Sequence, residues 1–445
     1  MTQQNGPHVA IVGAGFSGLL TAIHLLNLSP RIRVTLIERR PVFGPGAAYD
    51  TDNPSHLLNV RLDNMSAFPD RPTDLADWLA KQPSWRGQDG FIARGLYGDY
   101  LKHLLNQAWA GASGRLTLLR AEARSLDRAG DGWTIQTSEG PVAAEAVVLA
   151  LGNLEPASPV EIAADLRASP PYVENPWALD ADRLGDAQTV LLVGAGLTMV
   201  DAALTLRQPG RRFVALSRHG LLPQAHAPLP PPPFRGDFTG GPARMFAQVR
   251  EATKTQDWRA VFDRLRQSSR DIWQGWNPVE RRRFLRHLRA LWDVHRHRLS
   301  PVAAREIEAM LASGELTVRA GRLTGLRLTG GAVEAAWRPR GRRDVVRGRF
   351  DLAINCTGPL NVIAQSSDPF IRDLLAKGYA RPDPLGLGLQ VDDAGQPLDR
   401  DGRPSPGLHA VGPLTRGAFW EITAVPDLRG QAQALAERIA QNPTL

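Results

Sequence analysis

The 445-residue chain contains a single cysteine, Cys356. That excludes an internal disulfide framework and any redox-active cysteine pair, and it fits a cytoplasmic location. No run of about eighteen apolar residues occurs, so no bilayer-spanning helix is expected. The apolar start, His8 to Leu28, is broken by Gly13, Gly15 and Gly18 and lacks a basic leader, so it does not read as a signal peptide. Lysine is scarce, confined to positions 81, 102, 254 and 377. The net charge of +8 and the pI of about 10.2 therefore rest on arginine, scattered along the chain with local clusters near 281–298 and 339–349. That distribution predicts a solvated basic surface and no nucleic-acid groove. A Gly-x-Ser-x-Gly elbow is also missing, which leaves a hydrolase triad without support.

What is present is ordered by repetition. Hydrophobic residues at 43% and charged residues at 22% are ordinary for a soluble globular protein, and the length suffices for two or three domains. Residues 8–12 (His-Val-Ala-Ile-Val) read as a strand, Gly13-Ala14-Gly15-Phe16-Ser17-Gly18 as a turn, the stretch to about Leu28 as a helix, and Arg33 to Ile37 as a second strand ending at Glu38. After mixed loops and short helices over 43–100, Leu116 to Ala150 alternates in the strand manner, with turns near Gly130 and Gly140. It ends in a buried strand followed by Gly152. The layout then recurs: strand Thr189 to Val193, turn Gly194-Ala195-Gly196, helix Leu197 to Leu206, strand Arg212 to Leu216, a meander from Leu316 to Phe350, and a buried strand Asp351 to Cys356 before Gly358. This is a repeat of whole domains, not a solenoid.

An extra segment, about 221–312, separates the second unit from its meander. It opens with a stiff run, Pro228 and Pro230 to Pro233, and continues as helices. One starts at Asn277-Pro278-Val279-Glu280, with an N-cap, a first-turn proline and a glutamate at the third helical position. Phe284, Leu288, Leu291 and His295 recur along it at helical spacing. Ser300-Pro301 opens the next helix. The segment is expected to cap a pocket.

The first glycine motif points to a dinucleotide. Gly13 permits the tight turn, Gly15 lets the backbone approach a pyrophosphate, and Gly18 lets helix and strand pack closely. The helix N-terminus then offers unpaired N–H groups to phosphates. Glu38 stands where an acid accepts hydrogen bonds from ribose hydroxyls. The second motif keeps Gly194 and Gly196 but has Met199 at the third glycine position. Either the helix and strand stand farther apart there, or Met199 points into a pocket. No acid ends the following strand; Ser217-Arg218-His219 stands there instead. Arginine pairs with a 2′-phosphate that a carboxylate would repel, so the second nucleotide is expected to be NADPH rather than NADH.

These features resemble the bacterial FAD/NAD(P)-binding proteins related to the flavin monooxygenase and glutathione reductase superfamily. Further matching segments are His56 to Val60, Met65 to Pro69, Gly194 to Asp201, Ser217 to Gly220, Trp292 to Arg298 and Gly412 to Glu421. The resemblance implies FAD in the first unit and places Gly152 and Gly358 near the nucleotides and domain crossovers. It also implies that the Val411-Gly412-Pro413 turn and the helix after Pro426 approach the isoalloxazine end of FAD, where a positive helix end stabilises an anionic reduced flavin. Two departures matter. The chain has no cysteine pair for disulfide reduction, and the Phe-x-Gly-x₃-His fingerprint of Baeyer–Villiger and flavin-containing monooxygenases is replaced by Tyr172-Val173-Glu174-Asn175-Pro176-Trp177.

The expectation is an α/β fold with two Rossmann-like dinucleotide-binding domains. A discontinuous FAD domain covers about 1–155 and 355–445, and an NADPH domain with the helical cap covers about 180–345. The cofactor-binding residues expected are Gly13, Ala14, Gly15, Phe16, Ser17, Gly18, Glu38, Arg39, Asn59, Gly152, Gly358, Gly412, Pro413 and Thr423, with Gly194, Gly196, Leu197, Thr198, Ser217, Arg218 and His219 for the second nucleotide. The function expected is NADPH-fed oxygenation of a small organic molecule by molecular oxygen through a flavin hydroperoxide, with no catalytic side chain named. Alternatives are a reductase passing electrons to a quinone or partner protein, and a redox-sensing flavin protein without turnover. Trp177, Phe419, Trp420 and Glu421 are candidate pocket residues. No metal site is expected: His295 and His297, two apart on a helix among arginines, face different ways. Cys356 reads as a core residue.

Overall fold

A computed structural model of the chain describes residues 6–442, apart from 84, 86–89, 180–185 and 361. Its architecture is α/β with two Rossmann-like units. The first is a five-stranded parallel sheet in the order Leu408–Ala410, Ala146–Leu149, His8–Val12, Arg33–Glu38, Leu116–Arg120. Val9, Ala10, Ile11 and the Ala146–Leu149 side chains are fully buried, because helix Phe16–Leu28 and the antiparallel meander described below both pack on the sheet and no side can be polar. Helix Phe16–Leu28 packs on this sheet and against the last helix, Val425–Ala440. A separate antiparallel sheet, Ala123–Ala129, Gly132–Thr137 and Gly140–Ala144, forms the meander.

The second unit repeats the plan. Thr189–Val193 takes the central place, flanked by Arg212–Ser217 on one side and by Leu352–Asn355 and then Tyr172–Val173 on the other. Here the meander is not separate. The 14-residue strand Leu316–Thr329 runs parallel to Arg212–Ser217 over its first part, passes a bulge between Leu323 and Gly325, and continues antiparallel to Ala332–Pro339. The merged sheet has seven strands. Gly330 and Gly331, both at positive φ, make the two-residue hairpin that joins the last two strands named. Helix Pro301–Ala312 buries Ala303, Ala304, Ile307 and Met310 in this unit's core and is its crossover helix.

The remaining helices, Pro242–Ala252, Trp258–Gln267, Ser269–Gly275, Pro278–His287 and Arg289–Arg296, form the cap. The capping box at Asn277 and Glu280 is present, and the Ser300 side chain caps its own helix. The single helix expected through Phe284 and His295 is in fact two, broken at Leu288 (φ −116°). The small kink keeps Phe284, Leu288, Leu291 and His295 on one cavity wall. Among the described residues no helix is long and apolar enough to cross a membrane.

Candidate cofactor clefts and the cap cavity

Gly13 leaves the first strand at φ +101°, and a Cβ there would overlap the Ala150 carbonyl. The N–H of Gly13 donates to the Ile37 carbonyl (2.8 Å), which ties the turn to the neighbouring strand. A Cβ on Gly18 would overlap the Gly13 carbonyl, so the helix enters as close as a backbone permits. Gly15 is the N-cap residue, extended and with no side chain to cap the helix. Phe16, Ser17 and Gly18 thus begin the helix with N–H groups that a pyrophosphate can satisfy. Gly412, at φ +80°, comes so near that a Cβ would lie 3.0 Å from the Ser17 Oγ. The C-terminal Gly412–Thr415 turn therefore meets the N-terminal glycine turn, and Gln431 Oε1 holds it by accepting from the Gly412 N–H (2.8 Å).

Glu38 is buried. Its Oε2 accepts from the Ala14 N–H (3.0 Å) and its Oε1 from the Arg40 N–H (2.9 Å). Two bonds leave a carboxylate with further acceptor capacity, so the residue pins the turn and keeps lone pairs free for hydroxyl donors. Gly152 (φ +67°), Pro413 and Thr423 line one narrow crevice together with Leu387 and Arg416. Arg39 lies to the side and pairs with Asp368 (3.2 Å). Asn59 sits at the seam between the units, where its carbonyl accepts from His226 Nε2 (3.0 Å). Burial pushes His226 down to about 4 against that backbone bond. The neutral ring must therefore be protonated on Nε2 to donate. The same seam holds the half-buried Arg94–Asp201 pair (2.8 Å) and the His56 contact to Thr205 (2.8 Å).

In the second unit Gly194 (φ +123°) repeats Gly13, with Cys356 in the place of Ala150: a Cβ would overlap the Cys356 carbonyl, and the Gly194 N–H donates to Leu216 (2.8 Å). Gly358 follows at φ +86° with open space about it, as Gly152 does. Gly196 caps the helix, with Leu197 and Thr198 half-buried in its first turn. Met199 is fully buried in the second core, so of the two expectations for it the pocket is set aside. The helix stands off far enough to admit its side chain. Cys356 is buried too, and burial pushes its thiol well up.

Ser217 Oγ accepts from the Gly220 N–H (3.0 Å), closing the turn that presents Arg218 and His219 to solvent. The backbone N–H of Arg340 donates to Ala320 (2.9 Å), beside which Gly220 packs. Partial burial, then the charges of Arg218 and Arg340, holds the His219 imidazole below its ordinary value. Arg340 thus shares the cationic corner, a residue that motif spacing did not reveal because it comes from the far meander.

The cap is bolted to the chain between Gly417 and Asp427. Trp273 Nε1 donates to the Gly417 carbonyl (2.8 Å), and Arg266 pairs with Asp427 (2.6 Å). Glu421 is buried and receives both Trp292 Nε1 and Arg296 Nε at 2.8 Å. Burial alone would raise its carboxyl, but Arg296, His297 and the Trp292 donor hold it below the ordinary range. Of the candidate pocket residues, Trp420 lines a cavity of about 500 Å³ between the cap helices. Glu421 lies outside that lining as an anchor. Phe419 packs into the first core, and Trp177 is half-exposed beneath Arg94. Phe419 and Glu421 lie outside the lining because the chain turns at Trp420 and its neighbours face elsewhere, and Trp177 lies by Arg94, away from the cap.

Residues 10–154 match the family model described as FAD-NAD(P)-binding. The match covers the first glycine turn, Glu38 and the meander of the first unit. Along the sequence the chain is 23% identical to the uncharacterized protein YdhS of Escherichia coli K12, over 51% of this chain and 48% of that one, so the match spans about half the length of the curated relative. In structure it is similar to DfoA bound to FAD, the cadaverine monooxygenase of Erwinia amylovora (TM-score 0.68, 13% identity, 99% of this chain and 96% of that one). It is also similar to the ornithine N-hydroxylase of Kutzneria sp. 744 (TM-score 0.64, 14% identity, 98% and 99%). At such identities the likeness shows the fold alone.

Proposed function

We propose that the chain is an FAD- and NADPH-dependent monooxygenase acting on a small organic molecule. The observation that carries this reading is a shared wall. Arg416 and Leu387 line the crevice of Gly152, Pro413 and Thr423. The Arg416 guanidinium lies 4.6 Å from the Trp420 ring, which faces the cap cavity. A ligand-sized space (about 500 Å³) therefore abuts the place where the C-terminal turn meets the first glycine turn. The solved structures of similar fold named above include two monooxygenases, which supports the same reading.

FAD bound here would supply the two-electron chemistry that links NADPH oxidation to oxygen reduction. Substrate, O₂, NADPH and one proton then give oxygenated substrate, NADP⁺ and water. The protein binds, orients and encloses. Gly13, Gly15 and Gly18 with Glu38 hold the first nucleotide, while Gly194, Gly196, Arg218 and Arg340 hold the second. The cap anchors on Glu421 and Asp427 tie the cavity wall to the C-terminal segment that carries the crevice. Disulfide reduction has no support, because the sole cysteine is a buried core thiol.

The test is stoichiometry. With a productive substrate, oxygen uptake equals NADPH oxidised, oxygenated product appears in equal amount and peroxide falls toward zero. If peroxide accounts for all NADPH across a substrate panel while a quinone accepts the electrons faster than oxygen, the chain is a reductase instead.

A further inference from the structure

We propose that the cap cavity is the substrate site and that it takes a neutral, lipophilic, ring-bearing molecule carrying one hydroxyl group, not a charged amine or amino acid. This rests on the oxygenase reading above. Five tryptophans line the space, Trp258, Trp273, Trp276, Trp292 and Trp420, and phenylalanines fill between them. Three of the indole N–H groups are already engaged by the protein: Trp273 with the Gly417 carbonyl, Trp276 with Gly240 (3.0 Å) and Trp292 with Glu421. What these rings offer a ligand is apolar surface.

No Asp or Glu lines the cavity among the described residues, and the one arginine, Arg250, is solvent-exposed at its rim. A primary ammonium entering here would lose its hydration and meet no carboxylate, a cost of several kcal/mol, against which cation–π contact returns about 2 kcal/mol, and arginines already lie over the rings of Trp258, Trp273 and Trp420. A flat apolar ring pays no such penalty, and the cavity's volume, about 500 Å³, lies within the usual range for small-molecule sites.

The His295 imidazole is placed to orient it. Trp420 is buried with its Nε1 inside the wall, so the ring presents carbon and not its N–H to a ligand. His295 is stacked on Phe262 (centroids 4.8 Å, 17°) and edge-on to Trp258 (5.0 Å). When its Nδ1 donates to the Leu291 carbonyl (2.7 Å), Nε2 of the neutral ring is left as an acceptor. That acceptor suits the hydroxyl of a hydroxylated ring.

Calorimetric titration of the FAD-loaded protein with 2-naphthol tests the site without turnover. The expected result is saturable one-to-one binding, with cadaverine and L-ornithine giving no heat of binding. Leu291→Trp, which fills the cavity from the cap helix, weakens 2-naphthol at least tenfold while FAD content and NADPH affinity stay unchanged. Thr253→Trp at a half-exposed position provides the same test should the first variant fold poorly. The proposal is overturned if 2-naphthol does not saturate, if both variants bind it as the parent does, or if cadaverine binds more tightly. Saturable, Leu291-sensitive binding in a protein whose flavin NADPH cannot reduce leaves the ligand site standing and overturns the oxygenase reading alone.

Discussion

At Gly13 and at Gly194 the backbone does the same thing: it leaves a central strand at positive φ, bonds to the neighbouring strand and passes too close to a carbonyl for any Cβ, that of Ala150 in one unit and Cys356 in the other. Three residues into the helix the units part. In the first, a Cβ at Gly18 would overlap the Gly13 carbonyl, so helix and strand touch backbone to backbone. In the second, Met199 is fully buried, and the Gly196 carbonyl accepts from both Met199 (3.0 Å) and Val200 (3.3 Å), where the Gly15 carbonyl accepts from Leu19 (2.9 Å). The acid or cation beyond differs as well. Glu38 is buried and braces its own turn, whereas Arg218 stands in solvent. A braced cleft suits a cofactor that stays, and an open cationic corner suits one that comes and goes.

The sharpest way to break this comparison is to put a methyl group at the equivalent glycines. Gly13→Ala and Gly194→Ala each combine an overlap with a backbone carbonyl and a positive φ unsuited to alanine. We expect Gly13→Ala to be isolated without FAD. Gly194→Ala keeps its flavin, but NADPH reduces it more than about 100-fold more slowly, since two such penalties exceed ~2.7 kcal/mol. Flavin absorbance and anaerobic stopped-flow traces read the two outcomes. Equal loss of FAD in both would show that the units do not act separately.

The next contrast is at the third motif position. Met199→Ala empties a buried core site and is expected to cost about 2–5 kcal/mol of stability, with FAD affinity unchanged. Gly18→Ala displaces the turn itself and is expected to weaken FAD most. Denaturant unfolding paired with flavin titration separates them.

Much of this contrast was legible in the sequence, because it is local. Gly13, Gly15, Gly18 and Glu38 act over one strand–turn–helix–strand unit, and so do Gly194, Gly196 and Arg218. The capping box at Asn277 and the Gly330–Gly331 hairpin are local too. What was not legible depends on distant segments meeting. Arg340 joins Arg218 only because the long strand Leu316–Thr329 carries the meander back beside Gly220. Leu387 and Arg416 line the crevice only once the C-terminal turn closes on Ser17. The break at Leu288 escaped notice because apolar spacing continues through it without a proline or glycine.

A smaller effect concerns the cationic corner. Arg218→Ala removes a charge-assisted contact to the 2′-phosphate of order 1.5–3 kcal/mol. The apparent Michaelis constant for NADPH therefore rises about 10- to 100-fold while that for NADH barely moves. Arg340→Ala follows in the same direction with a smaller rise. Equal effects on both nucleotides would remove the 2′-phosphate assignment.

The smallest contrast lies at the sheet edges. His409, in the edge strand of the first sheet, is buried with neither ring nitrogen bonded, and burial lowers it to about 4. The corresponding strand of the second sheet, Tyr172–Val173, has no titrating imidazole. A folded value below the unfolded 6.5 means the unfolded chain binds the proton first. Stability from this residue is complete above about pH 6.5 and is lost as pH falls toward 4. Between pH 7 and 5 the loss is about 2 kcal/mol. His409→Leu is expected to flatten that part of the pH–stability curve, and an unchanged slope would show that the ring is not held neutral.

The central claim, a resident FAD in the first unit reduced by NADPH from the second, is tested most directly by adding NADPH without oxygen to the FAD-loaded protein and following the visible flavin absorbance. The account predicts complete bleaching by one equivalent, with NADH reaching the same end point only at much higher concentration. Bound NADPH that leaves the flavin spectrum oxidised would contradict it.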